Sequence, residues 1–333
     1  MLILFALLLL GVVLVNGWTD APNAVATCIS TRACGARSAI WMAAVCNFSG
    51  LLVMMSLNRS VATTVYRMAD LGNDPQRALT ALCAAMLAIV IWALAAWFFG
   101  IPTSESHALV AGLSGAAVAL RGELGALRGA AWGAVLGGIL FCCAVALLLG
   151  FLCAKATVLF FRQSSRSRTR PLFVWAQRLG AAAMAFMHGA QDGQKFVAVF
   201  LLGVGLSQGG QSTPETAPAW LMLLCCTVMA TGTAIGGGRI IRAVGMDMVH
   251  LQPHQGFAAD AAAALCLLVC SLCGMPVSTT HAKSVAILGV GTATNARRVN
   301  WRIAQNLALT WIFTFPACGL LGFAVTKLLL LFQ

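Results

Sequence analysis

Long apolar runs alternate with short polar interruptions along this chain. The runs fall near residues 2–31 (interrupted), 38–57, 78–99, 104–120 and 129–160. After a Ser/Arg stretch at 162–170 a second set follows near 173–206 (interrupted), 218–236, 257–273, 279–295 and 303–331. They are too long for strands and lack period-two alternation, so the pattern predicts membrane-spanning helices rather than barrel strands. The Leu2–Val15 run has no Lys or Arg before it and no small-residue cleavage site after it, so it reads as a first span rather than a signal peptide. Five segments recur in the same order, which predicts a first repeat at 1–161, a basic cytoplasmic linker at 162–171 and a second repeat at 172–333.

Composition supports the pattern. With 60% hydrophobic residues, 9% charged residues and a mean hydropathy of +0.89, the chain lies outside the range of soluble globular domains. A net charge of +12 could suggest nucleic acid. The basic residues, however, fall in loops, as with Arg162, Arg166, Arg168 and Arg170, where membrane topology accounts for them. The thirteen cysteines lie mostly inside apolar runs and read as small buried hydrophobes. Cys266, Cys270 and Cys273 share a helical face, but no His or carboxylate joins them at ligand spacing, which predicts packing rather than metal.

Two polar motifs break the apolar runs, and each occurs twice. Asn16–Asn23 (Asn-Gly-Trp-Thr-Asp-Ala-Pro-Asn) matches His188–Lys195 (His-Gly-Ala-Gln-Asp-Gly-Gln-Lys), placing Gly17 on Gly189, Asp20 on Asp192 and Asn23 on Lys195 at an offset of 172. Ile101–Ala108 matches Met275–Ala282 at an offset of 174, and Pro, Ser, His and Ala coincide. An odd number of segments per repeat turns the second half upside down, which the Lys/Arg bias of the loops can check. Arg32 and Arg37 follow the first segment, whereas the 207–217 loop has no basic residue and contains Glu215. This predicts an outside N-terminus and a cytoplasmic 162–170 stretch. The 58–77 loop, with Arg59, Arg67 and Arg77 beside Asp70 and Asp74, is the exception.

Of only nine acidic residues, Asp20, Glu105, Asp192 and Asp260 lie in or at the ends of apolar segments, as do Lys195 and Lys283. A carboxylate at the centre of a membrane helix costs at least ~3 kcal/mol, so such residues face a cavity, a partner or a transported ion. Gly17, Pro22, Gly189 and Gly193 are helix breakers around the two aspartates, which predicts that each first segment splits into two half-helices with unwound backbone between them. In the second motif, Pro at a first helical turn is followed by hydroxyls: Thr103, Ser104 and Ser106, or Ser278, Thr279 and Thr280. That combination makes a helix N-terminus suited to an oxyanion. A Ser/Thr cluster in a membrane helix is more often interhelical glue; duplication beside buried charge reverses the balance. His107 and His281 admit two roles, a structural hydrogen bond or proton movement. His250 and His254 read as solvated loop residues, and Asp260 admits two readings, a paired structural carboxylate or one that faces a cavity or a transported ion.

These residues resemble the PiT inorganic phosphate transporter family. Its members carry duplicated Gly-x-Asn-Asp-x-x-Asn-like signatures in inverted repeats, with segments like Pro102–His107 and Pro276–His281. The resemblance extends from about Asn16 to Ala293. It implies an all-α polytopic protein of two inverted-topology repeats with broken first helices and re-entrant hairpins. The implied activity is symport of inorganic phosphate across the plasma membrane by alternating access, driven by Na⁺ or H⁺, with no cofactor and no structural metal. Carried over by position, the substrate contacts are Asp20, Asn23, Ser104, Ser106, Asp192, Gln194, Lys195, Ser278, Thr279 and Thr280. The coupling-ion contacts are Asn16, Thr19, Glu105 and Gln191, and His107 and His281 are candidates for a proton relay. The implied partners are phosphate and the lipid bilayer, not nucleic acid; a homodimer is compatible with the resemblance.

The chain departs from the signature where Thr19 and Gln191 replace Asn and where Lys195 stands opposite Asn23. An ammonium beside Asp192 could replace a metal cation there. Two other readings compete. A sulfate permease of the same fold would use the same hydroxyls. An intramembrane aspartyl protease would use Asp20 and Asp192 as its dyad, but it leaves the repeat, Lys195 and the Pro-Ser-His segments without a role.

Overall fold

The structure is a computed structural model that describes residues 1–68, 70–72, 74–99, 103–208, 217–235 and 248–332. The described residues form α-helices and short 3₁₀ turns. The first repeat contains α1 (Leu2–Thr19), α2 (Ala21–Ser30), α3 (Ala36–Leu57), α4 (Ser60–Tyr66), α5 (Pro75–Phe99), α6 (Glu105–Arg121) and α7 (Gly129–Phe161). The second contains α8 (Arg166–Ser207), α9 (Ala219–Ile235), α10 (Pro253–Leu272), α11 (Thr279–Asn295) and α12 (Trp301–Leu330). Among the described residues, six helical stretches are long and apolar enough to cross a bilayer, α1 and α2 counting together as one. The protein is therefore a multi-pass membrane protein built as two inverted-topology repeats.

The repeats interlock. Helix α1 packs on α9 of the other repeat and α8 on α3; α6 packs on α12 and α11 on α7. Within the repeats α1 meets α5 as α8 meets α10. Exchanging the repeats maps each contact onto its partner. Small residues permit the close crossings, because lipid gives helices little hydrophobic reason to associate. A Cβ on Gly17 would run into the Met229 backbone, and one on Gly189 into the Asn47 backbone.

Three expectations change here. The first segment of repeat one breaks only at Asp20, which itself keeps right-handed helical angles (φ −91°, ψ −40°). Pro22 causes the break, since it has no N–H to return to the Trp18 carbonyl. In repeat two α8 runs through His188–Lys195 without interruption over 42 residues. No proline stands there, and Gly189 and Gly193 serve close contact with Asn47 and Leu51 of α3 instead. Second, the basic stretch at 162–170 is divided between a short turn and the start of α8. Third, the 58–77 loop contains α4, whose Thr64 hydroxyl donates to the Gly274 carbonyl at 2.9 Å and props the approach to α11. Glu215 and Pro102 lie outside the described residues.

Candidate functional site

The two short helices α6 and α11 begin at equivalent positions and are capped in the same way. Ser104 accepts from the His107 N–H and Ser278 from the His281 N–H, each at 3.3 Å, which satisfies one of the free donors at each helix start. Both hydroxyls are thus engaged as caps. Pro276 lies two residues before its cap rather than in the first helical turn. Each cap residue has extended backbone (Ser104 φ −114°, ψ 108°; Ser278 φ −87°, ψ 125°), and the hydroxyls that follow the caps, on Ser106, Thr279 and Thr280, are buried.

On α8, His188, Gln191, Asp192 and Lys195 recur at helical spacing and share one face. Lys195 Nζ donates to Asp192 Oδ1, Ser106 Oγ and the Val277 carbonyl, each at 2.6 Å. Asp192 also accepts from Ser106 (3.3 Å), Thr279 (3.3 Å) and Asn16 (3.4 Å). The other aspartate is served by the opposite repeat: Thr280 donates to Asp20 Oδ1 at 3.0 Å and Asn23 donates to Thr280 at 3.2 Å. Thr19 donates to Glu105 and to the Val15 carbonyl. The carboxylates of Asp20 and Asp192 and a ring nitrogen of His188 all lie within 4.8 Å of one another. These groups are almost fully buried, Asp20 at 4% exposure, Asp192 at 1% and Lys195 at 2%, so the site is sealed.

Asp192, Lys195, Ser106, Thr279 and Asn16 therefore form one hydrogen-bonded network and Asp20, Asn23 and Thr280 a second; the two meet where the aspartates approach within 4.8 Å, with Thr19 and Glu105 joined to each other beside them. Gln191 bonds instead to the Met275 carbonyl (2.7 Å) and to Ser271 (2.8 Å), holding the lead-in to α11. Gln194 is buried, and neither of its amide atoms has a hydrogen-bond partner among the described residues. The His107 and His281 rings meet at 4.4 Å between centroids, tilted by 33°, with Phe315 of α12 stacked on His107 and Trp311 of α12 tilted against His281.

His188 was the residue missed. It stands 3.4 Å from Asp192 and bonds through Nδ1 to Asn47 at 3.1 Å, and its spacing of four residues from Asp192 on one helix was the available signal. The cysteine cluster also differs from the expected set. Cys142 of α7 joins Cys266 and Cys270, with these thiols within 4.8 Å of one another, while Cys273 is exposed. His254 lies in the first turn of α10 against Phe173 rather than in a loop.

Set against known proteins, the chain matches the sequence model described as "Phosphate transporter family" twice, over residues 16–169 and 162–322. A protein of Bacillus subtilis named "Probable low-affinity inorganic phosphate transporter" is 32% identical over 308 residues, 92% of this chain and 91% of that protein. Its namesake in Mycobacterium tuberculosis is 34% identical over 312 residues, 92% of this chain and 72% of that one. The human "Sodium-dependent phosphate transporter 2" is 33% identical over 163 residues, 48% of this chain and 24% of that protein. Among solved structures, "The sodium-dependent phosphate transporter" superposes with a TM-score of 0.80 over 100% of this chain and 99% of that one, at 22% identity, a likeness of fold.

Proposed function

Because the chain belongs to the phosphate transporter family and is not an enzyme, we propose that it is a secondary symporter carrying inorganic phosphate across a plasma membrane by alternating access. The observation that carries this reading is the crossed bonding of the two motifs. Asp20 of the first repeat is held by Thr280 of the second, and Asp192 of the second by Ser106 of the first. A site completed only by both repeats is what an inverted-repeat carrier needs, since rocking one repeat against the other opens it to either side. Asp20, Asn23, Ser106, Asp192, Lys195, Thr279 and Thr280 supply its hydroxyls, amide, ammonium and carboxylates. A protonated phosphate can donate to a carboxylate where fully ionised sulfate cannot, which favours phosphate over the sulfate reading. The charge of the loops supports an outside N-terminus.

Coupling follows from the asymmetry at Lys195. Its ammonium already sits among a carboxylate, a hydroxyl and a carbonyl oxygen, a set of ligands suited to a small monovalent cation. The second half-site therefore carries its own cation, leaving coupling to a proton, by way of His107 and His281, or to one Na⁺ beside Asp20, Asn23, Thr19 and Glu105. The names of the human relative and of the structural neighbour support Na⁺ as the first cation to test.

Purified protein in liposomes, given labelled phosphate under an imposed Na⁺ or H⁺ gradient with sulfate as competitor, tests the reading. Uptake that follows one gradient and resists sulfate is the expected result. Uptake that survives Asp20→Asn combined with Asp192→Asn would refute it. Lys195→Asn should add a dependence on Na⁺; loss of uptake in that variant, with strict Na⁺ dependence already present in wild type, counts against the built-in cation.

A further inference from the structure

One helical turn beyond the crossed bonds, the two halves of the molecule stop resembling each other. On α2, Thr27 follows Asn23 by four residues, about 6 Å along the helix; on α11, Lys283 follows Thr280 by three, about 4.5 Å. There they meet Asp260 of α10 and Gln177 of α8. Lys283 pairs with Asp260 and donates to Thr27 Oγ1 at 2.9 Å and to the Ala24 carbonyl at 3.3 Å. Thr27 donates to both Asp260 oxygens at 2.8 and 2.9 Å, and Gln177 Nε2 donates to Asp260 and Thr27. All four residues are 0% exposed. At the repeat offsets, Gln177, Thr27, Asp260 and Lys283 correspond to Phe5, Val199, Met86 and Leu109. Those four are also buried and belong to one apolar cluster.

The oxyanion cluster therefore lies between two layers built at equivalent places, one apolar and one ionic. They differ in what opening costs. Parting apolar side chains exposes them to water at a cost proportional to area, whereas parting a buried ion pair into water returns hydration to both ions and recovers much of the penalty for having buried them. Asp260 and Lys283 spend their hydrogen-bonding capacity on each other, Thr27, Gln177 and the Ala24 carbonyl, so the pair acts as a contact between four helices.

We propose that Asp260, Lys283, Thr27 and Gln177 form the gate on the α2/α11 side of the site, and that separation and hydration of the Asp260–Lys283 pair is the step that opens that side. Asp260 and Lys283 are then positioning residues for transport rather than substrate contacts. The proposal rests on the transport reading above.

The test copies the apolar layer into the ionic one. Asp260→Met with Lys283→Leu, reconstituted beside wild type, should keep the KM for phosphate and lower the maximal uptake rate at least tenfold. Asp260→Asn with Lys283→Gln, still polar, should stay within about threefold of wild type. An apolar variant with the wild-type maximal rate overturns the gate, as does a raised KM at unchanged rate or an equal loss in both variants. Wild-type protein supplies a reading that needs no substitution. On adding phosphate, amide hydrogen exchange around residues 24–28 and 282–286 should move in the opposite direction to that around residues 5 and 199. Any other pattern overturns the proposal. A wild-type protein that moves no phosphate is a failure of the transport reading, and it is recognised before any variant is compared.

Discussion

A lysine three residues after a buried aspartate on one helix lies on the same face, and Lys195 uses that position to complete the hydrogen bonding of Asp192. Removing one partner of a buried pair leaves the other charge uncompensated. Lys195→Met should therefore destabilise the protein by about 3–5 kcal/mol, read as a fall in the thermal unfolding midpoint in detergent. Adding Asp192→Asn should return most of that loss. The second aspartate rests on a neutral hydroxyl, so Thr280→Val should cost stability only ~1 kcal/mol while lowering kcat/KM for phosphate uptake at least tenfold. That Asp20, Asp192, Ser106 and Thr280 come together in one buried polar region was legible, because charge inside apolar segments and duplication both marked their motifs. The bond from Gln191 to the Met275 carbonyl was not legible, because nothing in its spacing distinguishes that bond from an ion contact.

At the scale of elements, apart from α4 and the start of α8 the helical segments were legible to within a few residues, since apolar length and polar interruption both show in the chain. The unbroken course of α8 was not. Glycine both permits a break and permits close packing, and here Asn47 and Leu51 of α3 occupy the space beside Gly189 and Gly193, so packing decided between the two. Gly189→Leu should accordingly fold poorly, at a cost of ~3 kcal/mol or more through overpacking. Gly17→Leu should behave alike because it faces the Met229 backbone in the equivalent crossing; the fraction of monodisperse protein after size exclusion measures both. Ser278→Ala removes a cap and should cost ~1 kcal/mol of thermal stability.

Across the whole molecule, each repeat packs extensively on the other, through α1 on α9, α8 on α3, α6 on α12 and α11 on α7. Neither repeat can bury its helix faces alone. Residues 1–165 and 166–333 made as separate chains should co-purify when expressed together, and each should aggregate when expressed by itself. The chain alone determined the class, the repeat and the duplicated motifs, because hydropathy, period and offset are properties of residue order. Only the tertiary structure decided the partners of each charge. Asp20 meets Thr280 at a separation of 260 residues, and the Asp260–Lys283 pair acquires Thr27 and Gln177 from two further helices. Such pairings follow from how helices cross, and no local period encodes a crossing.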